Sequence, residues 1–341
     1  YDKCVSCGQC LVNCPFGAIA DKSQIFQVIQ AVRAGKEVIA EVAPAFVGQF
    51  GGKGNVDKLR EAFKQLGFSG MEEVALGADL CTIQESEDFL EEVPDKIPFM
   101  GTSCCPAWSV MAKKEFPKNA DCISMALTPM TLTARLIRKQ HPNAKIVFVG
   151  PCSAKKLEAM RESVRSEVDF VLTFEEMAGM MSAKQIDYTK LAGEGGDFDV
   201  ASADGRGFAV AGGVATAVAN AIHKRYPERE VKVANAEGLD ECRKLMKDAV
   251  KGKYDGYLLE GMACPGGCVA GAGTLTAVNK TAAAVKRYAK KSPRKNANEN
   301  SYRMLIPALE RDADGKHAAD IDEVAETFEA ATPASQNQDT E

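Results

Sequence analysis

The sequence predicts an α/β fold on largely parallel β-structure, and three observations carry that prediction. Short apolar runs of strand length, Pro98-Phe99-Met100, Ile146-Val147-Phe148-Val149 and Tyr257-Leu258-Leu259, each lead into a cysteine-bearing loop. Each loop is followed by residues that can start a helix, so strand, loop and helix recur three times. Around them, segments of helical spacing alternate with further β-branched runs.

The loops read Thr-Ser-Cys-Cys-Pro-Ala-Trp at 102–108, Gly-Pro-Cys-Ser-Ala-Lys-Lys at 150–156 and Glu-Gly-Met-Ala-Cys-Pro-Gly-Gly-Cys at 260–268. The carboxyl edge of an open α/β sheet is where ligands usually bind. Thiols brought from three distant loops to the edge of one sheet are expected to form one composite metal site.

The remaining elements follow in order. Ile25, Phe26, Val28, Ile29 and Val32 fall at helical spacing and stop at Gly35. Val38–Val42 reads as a strand ended by Pro44, and Val56–Leu66 as an amphipathic helix ended by Gly67. Residues 78–92 and 128–140 read as helices, and 145–149 as a β-branched buried strand. Residues 168–172 form another strand, leading into a helix over 173–184. A small-residue helix at 213–225 follows Gly212-Gly213, and a helix at 239–251 precedes a strand at 256–260. From about Ser292 the chain turns rich in Lys, Asn, Asp and Glu. One more helix is expected at 319–330 and a disordered tail at 331–341. Gly51-Gly52-Lys53-Gly54 lacks the spacing and the Ser/Thr of a phosphate loop and reads as a turn.

Composition narrows the class. A chain of 341 residues with 45% hydrophobic content can bury one large core or two lobes. The formal net charge of −5, with no long basic run, gives no nucleic-acid surface. No apolar stretch approaches the roughly 20 residues of a membrane span. Twelve cysteines is many for this length, yet they cluster in short spacings, including one adjacent pair. Thiolate metal ligation in a reducing, cytoplasmic setting explains them better than a secreted disulfide scaffold. The chain opens at Tyr1 without an initiator methionine and is expected to be a piece whose N-terminal portion is absent.

Cys4, Cys7, Cys10 and Cys14, followed by Pro15, spell Cys-x2-Cys-x2-Cys-x3-Cys-Pro, the bacterial ferredoxin pattern for a 4Fe-4S cluster. A zinc knuckle seldom continues to a third close cysteine and Cys-Pro. In two-cluster ferredoxins the fourth cysteine serves the other cluster. Either the partner residues lie upstream of Tyr1, or all four bind one cluster, and the sequence leaves both open.

Cysteine arithmetic sharpens the composite site. With four cysteines in the N-terminal run, Cys104, Cys105, Cys152, Cys264 and Cys268 occupy the three loops. Cys81, Cys122 and Cys242 remain as small buried residues. Five thiols are one more than a four-iron cluster needs.

In order and spacing, the three loops resemble the signature motifs of iron-only ([FeFe]) hydrogenases, over roughly residues 36–290. The resemblance implies a two-lobed iron-hydrogenase-like catalytic domain with largely parallel sheets at 21–291. A ferredoxin-like 4Fe-4S segment, incomplete, precedes it at 1–20, and a C-terminal helix and tail follow at 292–341. It implies reversible oxidation of dihydrogen at a 4Fe-4S cubane bridged to a 2Fe unit carrying CO, cyanide and azadithiolate. At least one further 4Fe-4S cluster on the N-terminal motif would pass electrons to ferredoxin or a similar carrier. Dedicated maturation proteins would install the diiron unit.

Carried over by position, Cys105, Cys152, Cys264 and Cys268 ligate the cubane, with Cys268 also bridging to the diiron unit. Cys104 becomes the spare thiol that shuttles protons. Lys155 hydrogen-bonds a cyanide, a role that suits a compact ammonium in a dry pocket. Its neighbour Lys156 reads as an ordinary surface lysine. Pro44 and Ala45 match the segment whose backbone meets the second cyanide, and Met262 matches a methionine packed on the diiron unit. Gly207-Phe208 and Gly212-Gly213-Val214 match a glycine-rich helix start under the cofactor, and Trp108 packs against the cluster loop. His141, His223 and His317 lie outside the motifs.

The chain also departs from the well-studied members and resembles a less-studied subgroup with Gly-Pro-Cys in the second loop. Gly150 stands where a methionine is usual, which predicts a roomier or wetter pocket on that side. Ser86 and Phe89 align with two proton-path glutamates, and Thr128 with a serine. An outer proton path is therefore expected to use Glu85, Glu87 and Thr128, with Asp88 close by. Two other readings keep the same motifs: a hydrogen sensor of low turnover, and an iron–sulfur scaffold or assembly protein without the diiron unit. Retention of Cys104 and Lys155 speaks against the scaffold.

Overall fold

The computed structural model describes residues 3–51, 56–162, 164, 166–193 and 200–309. The glycine-rich turn at 52–54, the helix expected at 319–330 and the tail at 331–341 lie outside the described residues.

Runs that are apolar on both faces make central parallel strands, because crossover helices cover both sides of such a sheet. Two sheets arise in this way. The first has the order β2 (Gly70–Glu73), β1 (Val38–Val42), β4 (Lys145–Gly150), β5 (Phe170–Thr173), all parallel. The second has the order β3 (Met100–Gly101), β7 (Tyr257–Met262), β6 (Lys232–Glu237), also parallel. The single sheet expected from the sequence is thus two. The strand before the first cysteine loop, β3, pairs with β7 and has no partner in the first sheet. Local patterning cannot express that choice of partner.

The helices follow the chain: α1 (Gln9–Val12), α2 (Ile25–Arg33), α3 (Val56–Leu66), α4 (Val74–Glu92), α5 (Pro106–Glu115), α6 (Pro129–Gln140) and α7 (Ala154–Ala159). Then come α8 (Phe174–Ala183), α9 (Ala203–Gly207), α10 (Gly213–Arg225), α11 (Leu239–Val250), α12 (Val278–Lys290) and α13 (Ile306–Leu309). The sequence reading located most of these and omitted β2, β6, α1, α9, α12 and α13. Strand β6 has only Ala236 buried, so it carries little hydrophobic signal.

Helix α4 lies at the centre. It packs against α6, α9, α10 and the turns near residues 297–305, and its buried face extends from Val74 to Ser86 almost without interruption. A helix covered on all sides must satisfy its polar side chains internally. Thr82 donates to the Ala78 carbonyl and Ser86 to that of Ile83. Asp79, fully buried, accepts from the Ser202 amide and hydroxyl and from Asn300 Nδ2 at 2.9 Å. This last bond ties residues 292–309 to α4, and Tyr302, Leu305 and Leu309 complete the same core.

A second buried clasp joins the first sheet to α9 and α12. Arg206 donates twice to Glu73, at 3.2 and 3.0 Å, and Tyr288 donates to the same carboxylate at 2.8 Å. The charge pair is fully hydrogen-bonded, which is the condition for tolerating its burial.

Candidate metal centre

The carboxyl ends of strands from both sheets meet in one cavity with an empty volume of about 770 Å³, its open mouth included. From the first sheet, β1 delivers Ala43 and Pro44, and β4 delivers Pro151 and Cys152. From the second, the loop after β3 delivers Cys104 and Cys105, and that after β7 delivers Met262, Cys264 and Cys268. Lys155, at the start of α7, completes this set. All five loop cysteines therefore line one space, although they come from two sheets.

Local structure explains how each is held. Cys105 is the N-cap of α5, with Pro106 at the first helical position. Backbone donors of Ala107, Trp108 and Ala263 are directed at its sulfur. Cys152 sits just before α7 and meets amides of Ala154 and Lys155. Trp108, fully buried, donates to the Thr102 carbonyl at 3.0 Å and lies on Gly261, where a Cβ would come within 2.1 Å of the indole. In the third loop Gly267 has φ +87°, and a Cβ there would strike the backbone of Val210 and Ala211. Only glycine lets this chain pass so close to the pocket wall.

Burial keeps the thiols of this wall neutral. Burial pushes the thiol of Cys152 up to about 11 and that of Cys268 up to about 12, and neighbouring sulfurs push in the same direction. Cys105 and Cys264 are raised by burial as well. Thiols in such a wall ionise when a metal supplies the compensating charge. Among the described residues no three His, Cys, Asp or Glu side chains converge as they would around a single ion. The cysteines ring a cavity instead of a point, which suits a multi-atom cluster. Four thiols, a fifth beside them and a buried ammonium fit an iron–sulfur group with an anionic ligand.

Cys104 has a different neighbourhood from the other four. Burial raises it well above the ordinary thiol value, and the charge of Glu85 raises it further. Glu85 is fully buried, and its Oε1 accepts from both the amide and the hydroxyl of Ser103, at 2.7 and 2.9 Å. Its Oε2 has no partner. Desolvation lifts this carboxyl to about 7 despite the two donors from Ser103.

The other residues expected at the site are distributed as follows. Met262 and Pro44 line the cavity, whereas Ala45 is buried behind it. Phe208 lines it too, while Gly212 and Ala215 donate to Glu260 at the end of β7 and so fix the start of α10. Glu87 is exposed and paired with Arg225 at 3.0 Å, away from Glu85. Thr128 caps α6 and donates to Glu158, on the Lys155 side. The structure therefore does not bring Glu85, Glu87 and Thr128 together. Cys81, Cys122 and Cys242 are buried.

Two expectations need correcting. The space beside Gly150 is not roomier or wetter, because a Cβ there would meet the Phe148 ring at 2.5 Å and Ala43 at 3.1 Å. Residues 148 and 150 share a strand face, and Phe148 lines the cavity. Lys156 is not a surface residue: it is buried, donates to Glu176 at 3.0 Å and to the Lys22 carbonyl, and is ion-paired with Asp21 at 3.1 Å. That clasp holds residues 21 and 22 to α8. Sequence reasoning also missed Phe148, Ala209 and Met130 in the wall, which carry no signal beyond being apolar.

The N-terminal cysteines lie against the same centre. Val5 is buried in the core around Trp108, and Gly8 packs against Ala272 and Ser153. Lys114 donates to the Cys4 carbonyl at 3.0 Å. Cys7 is close enough for its charge to act on Cys264. The thiol of Cys14 is lowered, chiefly by the backbone donors of Phe16 and Ala18. Such donors stabilise the anionic form a cluster requires.

The family model for the iron-only hydrogenase large subunit, C-terminal domain, matches residues 36–272, and that for a 4Fe-4S binding domain matches residues 1–20. The NADP-reducing hydrogenase subunit HndD of Solidesulfovibrio fructosivorans is 28% identical, with 79% of this chain and 55% of that protein covered. Iron hydrogenase 1 of Clostridium pasteurianum is 30% identical, with 76% and 54% covered. The chain thus spans about half the length of these relatives. The cytosolic Fe-S cluster assembly factor NAR1 of Debaryomyces hansenii is 32% identical, over 37% of this chain and 26% of its own length. The solved structure of an apo [FeFe] hydrogenase from Chlamydomonas reinhardtii has a TM-score of 0.70 at 22% identity. It covers 89% of this chain and 97% of that one, and so shares the fold.

Proposed function

Because this chain belongs to the iron-only hydrogenase large-subunit family, we propose that it interconverts dihydrogen with protons and electrons. The observation that carries the reading is the cavity wall: four clustered cysteines, a fifth thiol set against a buried carboxyl, and a buried lysine. In this reading Cys105, Cys152, Cys264 and Cys268 would hold a cubane, with Cys268 also serving a diiron unit that carries CO, cyanide and azadithiolate. When bound, that unit supplies the open metal position at which dihydrogen is split or formed.

The chain's own residues do the rest. Cys104, kept neutral by burial, holds a proton at its Sγ and gives it up toward the cavity. Glu85 takes or returns that proton at Oε2, the oxygen that Ser103 leaves free. A carboxyl lifted to about 7 is matched to such exchange near neutral pH. Lys155 directs its ammonium at an anionic ligand, and Pro44, Met262 and Phe148 exclude water. Cys4, Cys7, Cys10 and Cys14 would hold a further 4Fe-4S cluster on the Cys264 side, which would supply an electron relay to ferredoxin or a similar carrier. Maturation proteins deliver the diiron unit.

A second reading has specific support in the NAR1 relatives: an iron–sulfur assembly protein that carries the cubane alone. One experiment separates the two. Infrared spectra taken anaerobically, after supply of a synthetic diiron precursor, should show CO and cyanide stretches that respond to hydrogen. Their absence from protein with an intact cubane would favour the assembly reading. Turnover then distinguishes an enzyme from a hydrogen sensor.

A further inference from the structure

Strand β1 ends in a residue pattern that its burial does not explain. Val38, Ala40 and Val42 face the first sheet's main core, and Ile39 faces the cluster formed by Ala134, Ile137 and Ile146. Alternation puts Glu41 on the face of Ile39, toward α6. Glu41 is fully buried, and neither carboxylate oxygen has a hydrogen-bond partner among the described residues. Few buried polar groups are left so, because each is stripped of water without a compensating bond.

The charges acting on Glu41 come from Lys155 and Glu158, both on α7 and both buried. Lys155 donates to Glu158 Oε2 at 2.7 Å. Burial draws the Lys155 ammonium down, but the charge and hydrogen bond of Glu158 more than offset it, and the group ends raised. Across the strands, Glu41 faces Phe148 on β4 and Glu72 on β2. Glu72 is half-buried and drawn to Arg60. One buried cation therefore serves two buried carboxyls. A single ammonium neutralises one carboxylate, so the other must keep its proton. Glu158 already holds two donors, Lys155 and Thr128. The proton belongs to Glu41, whose carboxyl is raised well above the usual range by burial.

We propose that Glu41 is a buried carboxylic acid holding one exchangeable proton behind the cavity, traded with solvent through Glu158 and the half-exposed Thr128. This makes a second proton line, separate from the wall of Cys104 and Glu85. In each transfer the O–H bond of Glu41 breaks and one forms on Glu158, directly or over one water. Glu41 is left as a carboxylate beside the Lys155 ammonium. Glu158 then passes its proton outward at Thr128, and no electrons move. The line would serve the cavity by letting Glu41 release or regain its proton as charge is gained or lost around Lys155. That use rests on the hydrogenase reading, but the existence of the line does not.

The test reads the carboxyl itself. Infrared spectra of the iron–sulfur-loaded chain, with or without a diiron unit, are recorded in H₂O and after transfer to D₂O. The difference between wild type and Glu41→Gln should contain one protonated-carboxyl C=O band. Glu158→Gln should remove the same band, because the unopposed Lys155 ammonium then ionises Glu41; this second variant also covers a Glu41→Gln that fails to fold. Thr128→Val should keep the band and slow its deuterium shift at least tenfold. A band that survives both glutamate substitutions, or its absence from wild type, would overturn the buried acid. An exchange rate unchanged in Thr128→Val would overturn the route. Neither result depends on hydrogen turnover, so a failed hydrogenase assay leaves this test intact.

Discussion

Glu85 and Ser103 are joined twice: the Ser103 amide and hydroxyl both donate to Glu85 Oε1, at 2.7 and 2.9 Å. Ser103 immediately precedes Cys104, so this pairing fixes where the buried acid stands relative to the fifth thiol. It also leaves Oε2 as the oxygen available for exchange.

Cys104→Ala should retain the iron–sulfur centres and lose at least about a hundredfold of hydrogen turnover, in the range of general acid–base contributions. Glu85→Gln should lose a similar factor, because an amide still accepts from Ser103 but releases no proton. Hydrogen uptake with an artificial electron acceptor, alongside iron analysis, measures both. Near-normal turnover in either variant removes that residue from the relay.

Two buried acids predict a pH dependence of stability. Burial raises Asp79 to about 6 and Glu85 to about 7, so each binds its proton more tightly folded than unfolded. Their contribution is fully present below the unfolded carboxylate value of about 4. It declines as pH rises through the folded values, then levels off. Glu85→Gln should flatten the decline up to about pH 7, and Asp79→Asn only its lower part. Denaturant titrations across this range decide it, and an unchanged slope in Glu85→Gln would place its carboxyl in the ordinary range.

Cys268→Ala should take up no stable diiron unit from a synthetic precursor, since the thiol proposed to bridge it is gone. Infrared spectra that still carried CO and cyanide bands would reassign the bridge.

Gly261→Ala should destabilise by about 2 kcal/mol or more, because its new methyl would overlap the Trp108 ring in a closed core. Gly179→Ala is the control. Nothing lies within 4 Å of a Cβ there, the residue is within α8, and a gain of about 0.5 kcal/mol is expected. Thermal melts of the two variants should move in opposite directions.

Much of the centre was legible because its chemistry is written in consecutive residues. Cys104-Cys105, Cys152 and Cys264 with Cys268 each follow a short apolar run, and that order is local information. The acids were harder to place. From Val74 to Ser86, helix α4 is enclosed by α6, α9 and α10, so its 3.6-residue pattern there has no wet face to contrast with a dry one. Glu85 and Glu87 look alike in sequence, yet one is fully buried beside Ser103 and the other is exposed and paired with Arg225.

By itself, the sequence determined which residues could hold a cluster and most of the strands and helices, and its resemblance to the hydrogenase motifs implied the spare thiol at Cys104. Only the tertiary structure decided that two sheets meet at the cavity, that Phe148 fills the space beside Gly150, and that Lys156 and Glu41 are buried. The reason is physical. Periodicity reports which residues share a face within one element, whereas burial and proton affinity depend on what other elements place against that face.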